Sequence, residues 1–299
     1  MTQPIIALVG PTAAGKSALA VELAALIDGE VINADSMQGY IGMDIGTAKV
    51  PPAERQGIPH HVIDVWEPTV EISVVEFRDA ARAAIEDVQG RGRVAIVVGG
   101  SWLYVQAIVD ELDFPPTDPQ VRKKWQDELE RVGSNALHEE LGRRDPASAA
   151  AILPGNGRRI VRALEVIELT GSFTATLPEP VSWSPTLWWG IDAPRHLLDE
   201  RISKRVDDMW QAGFVDEVRS LRESGIGRTA SKALGYSQII DLLEGKSDEA
   251  HAHADTVTTT VKFARRQQRR FRADTRITWW SGSEMAVRMA QEVGQGTRT

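Results

Sequence analysis

Gly10, Pro11, Thr12, Ala13, Ala14, Gly15, Lys16 and Ser17 spell GPTAAGKS: a glycine, four residues, then glycine, lysine and serine. The chemistry served by this spacing is anion binding. Glycines let successive backbone N–H groups point into one concavity at a helix start, where the helix dipole also favours negative charge. Lys16 adds a point charge, and Ser17 offers a hydroxyl to Mg2+. The apolar run PIIALVG before the string and SALAVELAALI after it supply the strand and helix that such a loop needs. A phosphate or diphosphate site is predicted, but spacing leaves open whether its occupant is ATP or a diphosphate without a nucleotide.

Two further strand ends carry chemistry. In VINADSMQGY, Asp35 closes a buried run, and ligands of a parallel sheet gather at the carboxyl ends of its strands. Asp35, Ser36 and Gln38 are therefore expected to face the same crevice as Lys16. Spacing alone leaves three roles open for Asp35: general base, Mg2+ ligand, or cap of the following turn. In VVGGSWLY the run ends on Gly99 and Gly100, without the acid expected of an ATPase metal-binding strand. Ser101 follows, with its hydroxyl in the crevice or capping the next helix.

The elements that must position these residues read as α/β. PIIALVG, EVINAD, HHVIDV and GRVAIVVGG each precede a plausible helix, the alternation of a parallel sheet covered on both faces. From Phe114 to Pro119 the pattern changes. Val121, Trp125, Leu129 and Val132 recur at helical spacing, and no strand signal returns until TLWWGIDA at Thr186. We expect a P-loop-type α/β core over 1–115 and 186–299, interrupted by an all-helical insertion over 116–185. A long helical pattern from His196 to Ser224 is expected to bend near Gly213, two more helices follow, and RITWW reads as a last strand. The tail after Gly282 is weakly patterned and is expected to fray.

Composition narrows the function classes. The 299 residues are 42% hydrophobic and 25% charged, as in a soluble globular protein. With no cysteine, a disulfide framework and a thiolate zinc site are excluded, and a reducing cytoplasm is the expected setting. No apolar run reaches the roughly 18 residues of a membrane helix, and no signal peptide is expected before the first strand. A net charge of −8 argues against indiscriminate coating of nucleic acid but leaves room for a local basic surface.

Such surfaces are present. VKFARRQQRRFRADTR, Val261 to Arg276, holds seven bases and one acid. As a helix it gathers Lys262, Arg265, Arg266, Arg269, Arg270 and Arg272 on an arc of about 160°, with Phe263, Ala264 and Phe271 behind. Compensating acids are nearly absent from the segment, so a polyanion is the expected partner. In the insertion, Arg158, Arg159 and Arg162 lie near one helix start, and Arg122, Lys123 and Lys124 open another. Arg201 and Arg205 stand one turn apart, within reach of phosphate or of Asp208. Trp188, Trp189, Trp279 and Trp280 read as core, whereas Trp102 sits in the turn that forms the crevice mouth. His60 and His61 lack a third histidine at metal spacing and are expected to be structural.

Taken together, GPTAAGKS, NADSMQGY, MDIGTAK, GIPHHVIDV, GGSWLY, DPQVR, RRIVRALEV, ERISKRVDDM, KALGY and FARRQQRRFR resemble the tRNA dimethylallyltransferases, in order and over nearly the whole chain. The resemblance implies transfer of a dimethylallyl group from dimethylallyl diphosphate to N6 of the adenosine just 3′ of the anticodon, in tRNAs reading codons that begin with U. It also implies Mg2+, a monomer, and a helical insertion that helps hold the anticodon arm. By resemblance Asp35 is the general base, Asp35, Ser36, Met37 and Gln38 contact the target region, Ser101 and Arg122 contact tRNA, and Arg205 binds diphosphate. Ser101 replaces the usual threonine, Ile41 stands where a basic residue is common, Gly39 where an aliphatic is common, and Ile72 where an aromatic is common. Pro154, Gly155 and Asn156 replace a more frequent Pro-Asn-Asp. Competing readings are a P-loop small-molecule kinase, an RNA-binding nucleotide switch, and an enzyme prenylating free adenine nucleotides.

Overall fold

A computed structural model describes residues 3–175, 179–282 and 284–296. Its chain divides into two compact units, Met1–Glu111 with Ser182–Thr299, and Leu112–Val181. The joint closes at Ser182 because this residue bridges back to Asp110, and the Trp183 N–H donates to the Val109 carbonyl at 2.9 Å.

The first unit opens with strand β1 (Ile5–Val9), helix α1 (Lys16–Ile27), β2 (Gly29–Asn33) and the two-residue β3 (His60–His61). Helix α2 (Val74–Gly90), β4 (Val94–Gly99) and α3 (Trp102–Val109) complete its first half. After the insertion come β5 (Thr186–Ile191), α7 (Arg195–Gln211), α8 (Phe214–Ser224), α9 (Tyr236–Leu243), α10 (Glu249–Arg272), β6 (Thr278–Trp280) and α11 (Met285–Gly296). Six parallel strands form one sheet in the order β3-β2-β4-β1-β5-β6. Every residue of β1, β2 and β4 is buried, as the near-continuous apolar runs of a doubly covered parallel sheet demand. One face packs Ile5, Ala7 and Val9 with Phe77, Ile85 and Phe271, and the other packs Ile6 and Leu8 with Leu19, Leu23 and Trp189.

The expected long helix from His196 is two helices. Gly213, at φ 96°, interrupts it, a backbone state that a glycine adopts without the penalty a side chain brings. The expected fraying of the tail is corrected: Met285 to Gly296 is helical, because Ala286 and Met289 are buried against the α1 side of the sheet, with Met285, Ala290 and Val293 beside them. Ser283 and residues 297–299 of that tail lie outside the described residues. Trp188 and Trp189 are core residues, and Trp279 and Trp280 are half-buried. His61 Nε2 lies 2.6 Å from buried Glu30, which also binds Arg91 and Arg93 at the amino-terminal end of the sheet, away from the phosphate loop.

The second unit holds α4 (Pro119–Arg144), α5 (Pro146–Ala151) and α6 (Gly157–Thr170). Asp118 caps α4 by accepting from Gln120 and Val121, and Asn156 caps α6 by accepting from Arg159. Trp125, Leu137, Leu141, Ile160 and Leu164 form this unit's own core.

Candidate functional site

The phosphate loop joins β1 to α1, and its backbone is built for an anion. Gly15 precedes α1 at φ 91° and contributes no capping side chain, so the N–H groups of the first helical turn have no intrahelical partner. Ala13 also adopts a positive φ of 62°, a strained state for a residue with a Cβ, of the kind that gathers at ligand-binding loops. The Lys16 ammonium folds over the loop and donates to the Pro11 carbonyl at 2.7 Å.

Asp35, Lys16 and Arg205 form one electrostatic group. Burial pushes the Asp35 carboxyl up, opposed by the Met37 N–H and by the positive charges of Lys16 and Arg205. Burial, reinforced by Arg205 and opposed by Asp35, lowers the Lys16 ammonium to about 8. Arg205 is lowered by burial and supported by Asp35, and its guanidinium donates to Thr12 Oγ1 at 3.4 Å. The alternative partner for this arginine, Asp208, is engaged instead by Lys204 at 2.8 Å. Perturbed groups of opposite sign around an anion-binding loop mark a site where charge must be handled out of water.

Asp35 is also a cap, since its Oδ1 accepts the Met37 N–H at 3.1 Å. One oxygen suffices for that bond, leaving the other able to accept a proton. Asn33, which the sequence reading overlooked, sets the backbone of Asp35 by accepting its N–H at 2.8 Å and donating to its carbonyl at 2.9 Å. Ser36 is partly exposed beside it, and Met37 packs against a satellite core around Tyr40 and Phe214. The Gln38 amide donates to the Thr47 and Ala48 carbonyls within its own segment.

Ser101 precedes α3 in cap position, yet its hydroxyl makes no capping bond, which leaves that oxygen to the crevice. A second overlooked residue explains how this strand end is fixed. Gln267, buried within basic α10, accepts the Thr12 N–H at 2.8 Å and donates to the Gly100 carbonyl at 2.8 Å. A Cβ on Gly100 would overlap the Gln267 amide nitrogen, so a side chain at the second glycine of VVGGS would push that amide from its place. The signal was a polar residue falling among Phe263, Ala264 and Phe271, on the helix face otherwise read as apolar.

The basic face of α10 is partly compensated by acids that lie outside the segment. Arg265 pairs with Asp199 at 2.8 Å and Arg272 with Asp192 at 2.6 Å, both acids from outside the segment. Arg270 lies over Trp102 at 5.9 Å, and Arg266 over Phe263 at 5.8 Å. Lys262, Arg266, Arg269 and Arg270 remain exposed, as does Arg201 of α7.

Within the second unit, Arg122 and Arg162 converge on buried Glu165 at 2.9 and 3.0 Å. Burial raises the Glu165 carboxyl, but Thr117, Arg162 and Arg122 hold it below its ordinary range on balance. Lys124 pairs with Glu168, Arg159 donates to the Ala175 carbonyl, and Arg158 is exposed at the α6 start. No helix among the described residues is long and apolar enough to cross a membrane.

Comparison with known proteins agrees with this geometry. The family described as IPP transferase matches residues 38–274. A tRNA dimethylallyltransferase of Frankia casuarinae is 57% identical over 92% of this chain and 94% of its own length. One from Thermobifida fusca is 56% identical over 92% of this chain and 89% of its own. Among solved structures, the full-length tRNA isopentenylpyrophosphate transferase of Bacillus halodurans superposes with a TM-score of 0.73 at 36% identity, covering 99% of this chain and 98% of that one. A eukaryotic dimethylallyltransferase acting on tRNA gives 0.70 at 30% identity, over 89% of this chain and 69% of that one. Matched over most of its length, and sharing more than half its residues with proteins of nearly its own extent, the chain belongs to the IPP transferase family.

Proposed function

We propose that the protein transfers the dimethylallyl group of dimethylallyl diphosphate to N6 of the adenosine 3′-adjacent to the anticodon, in tRNAs reading U-initial codons, releasing diphosphate. The observation that carries this reading is the placement of Asp35, a carboxylate with raised proton affinity, beside the cations Lys16 and Arg205 at a phosphate loop. An exocyclic adenine amine is a poor nucleophile. A carboxylate that takes its proton while the C–N bond forms lowers the barrier, and a raised pKa improves that base. The bond that breaks joins the allylic carbon to a diphosphate oxygen. The loop amides, Lys16 and Arg205 stabilise the charge growing on that leaving group.

Gly10 to Ser17 and Arg205 bind the diphosphate, with Asp35 as base and the Ser101 hydroxyl aiding adenosine placement. Ser36, Met37 and Gln38 shape the approach for the base, which must leave the anticodon stack to reach the site. The exposed arginines of α10, among them Arg265, Arg266 and Arg269, contact RNA phosphates, and Arg122, Arg158, Arg159 and Arg162 give the helical unit a basic surface for the same polyanion. Mg2+ fits the donor chemistry. Among the described residues no cluster of three His, Asp or Glu could hold an ion, so Ser17 would hold it together with diphosphate oxygens and water. When bound, the ion neutralises leaving-group charge. The protein works as a single chain.

The kinase alternative is not favoured, since β4 ends in glycines rather than a metal-binding acid. Incubating the protein with unmodified tRNA, dimethylallyl diphosphate and Mg2+ should yield N6-prenylated adenosine by mass spectrometry of digested RNA. Absence of that nucleoside, with folded protein and intact RNA, defeats the proposal.

A further inference from the structure

The basic helix and the phosphate loop share one buried side chain. Gln267 lies in the last third of α10, between Arg266 and Arg269 in sequence, but points inward and is 7% exposed. Its carboxamide oxygen takes the Thr12 N–H, and its NH2 group takes the Gly100 carbonyl, each at 2.8 Å. Thr12 is held a second time through its hydroxyl by Arg205. The next residue, Ala13, is the strained one at φ 62°. Gly100, the other end of the bridge, immediately precedes Ser101. One amide thus spans three parts: the backbone that shapes the anion site, the strand end that presents Ser101, and the helix whose opposite face carries exposed arginines.

Resting on the prenyl-transfer reading, we propose that Gln267 is a positioning residue that couples RNA binding on α10 to diphosphate binding in the loop. RNA phosphates that settle on Arg266 and Arg269 fix the helix on which Gln267 rides. A fixed Gln267 holds Thr12 and Gly100 in place, so the loop loses less freedom when diphosphate arrives. By linkage the effect is reciprocal, and diphosphate tightens RNA binding by the same factor. Gln267 touches neither substrate in this arrangement. Its amide is suited to the task because one end accepts and the other donates, matching an N–H and a carbonyl that a pair of like groups could not both satisfy.

The test is pyrophosphate binding, by calorimetry with Mg2+, with and without saturating unmodified anticodon stem-loop RNA. For the unaltered protein the RNA should tighten pyrophosphate binding by about fivefold or more. Gln267→Met keeps the length of the side chain without its hydrogen bonds. It should weaken pyrophosphate binding about tenfold, abolish the RNA-induced gain, and leave RNA affinity alone within about twofold. Gln267→Glu supplies a second readout. Ionised, its carboxylate cannot donate to the Gly100 carbonyl; protonated, it again offers one donor and one acceptor. Its pyrophosphate affinity relative to the unaltered protein at the same pH should therefore recover between pH 8 and pH 5.5. The proposal is overturned if RNA gives no gain in the unaltered protein, if folded Gln267→Met keeps that gain, or if the relative affinity of Gln267→Glu does not change with pH. These are binding measurements, so they stand apart from the prenylation assay: failure to form product would defeat the functional reading without altering the pyrophosphate result.

Discussion

Asn33 grips Asp35 by both of its backbone polar groups, accepting its N–H at 2.8 Å and donating to its carbonyl at 2.9 Å. The same amide nitrogen also reaches the Val62 carbonyl at 2.8 Å, which ties the strand end to the neighbouring segment. Asp35 thereby holds a defined backbone, and its side chain has little freedom left beyond choosing how its second oxygen is used.

Asp35→Asn keeps the shape and the cap to Met37 while removing the base. Turnover should fall by about 10²- to 10⁴-fold, with RNA affinity changed by less than about threefold. Single-turnover kinetics paired with filter binding check this. An Asn variant with near-normal turnover would assign Asp35 to capping alone.

Opposite shifts at the site predict a bell-shaped pH profile for kcat/KM with respect to the donor. Asp35, raised by burial, must lose its proton to act, so the rate climbs as pH rises through its pKa. Lys16, lowered to about 8, must keep its proton to attract diphosphate, so donor capture declines as pH rises through that value. Lys16→Arg should move the descending limb to higher pH, because guanidinium stays charged. A profile of the unaltered protein that stays level from pH 7 to 10 contradicts the assignment.

The exposed part of the α10 face should carry a salt-dependent share of RNA binding. Arg266→Ala with Arg269→Ala should reduce the slope of log affinity against log salt by about one per lost phosphate contact. Pyrophosphate binding without RNA should be unchanged. Arg265→Ala should matter less than Arg269→Ala, since Arg265 already has Asp199 as a partner. Equal salt slopes for variant and unaltered protein would remove α10 from the RNA surface.

A separate prediction concerns stability. Hydrogen bonds from Arg91 hold the Glu30 carboxyl at about 2 against its ordinary 4.5, assisted by His61 and Arg93 and opposed by burial. A lowered folded-state pKa stabilises the protein above the unfolded value, and that contribution disappears as pH falls from 4.5 towards 2. Glu30→Gln should cost about 2 kcal/mol at pH 7, with the difference from the unaltered protein shrinking through that window. Denaturant melts at pH 7, 4 and 3 measure it, and a pH-independent difference would separate the effect from titration.

Much of this site could be read from residue order because its parts are local. GPTAAGKS needs only its own backbone to make an anion nest, and the strand ends at Asp35 and Gly100 follow from apolar runs that stop. Arg205 needed the family resemblance, since helical spacing equally allowed Asp208 as its partner. What escaped are residues whose meaning lies across the sheet: Asn33, which faces Val62, and Gln267, which faces Thr12. The charge balance of α10 failed for the same reason. Asp192 and Asp199 come from another part of the chain, so a count within the segment could not include them. The tail escaped because Met285 and Met289 are anchored by α1, which no local pattern announces.

The bond from Thr12 to Gln267 joins residues 255 positions apart. During synthesis, then, the nucleotides encoding the anion loop are translated well before those encoding its brace. A ribosome that stalls midway releases a chain with the loop's lettering but without the side chain that disciplines it. The anion loop therefore takes its final shape only after the chain has grown past Gln267.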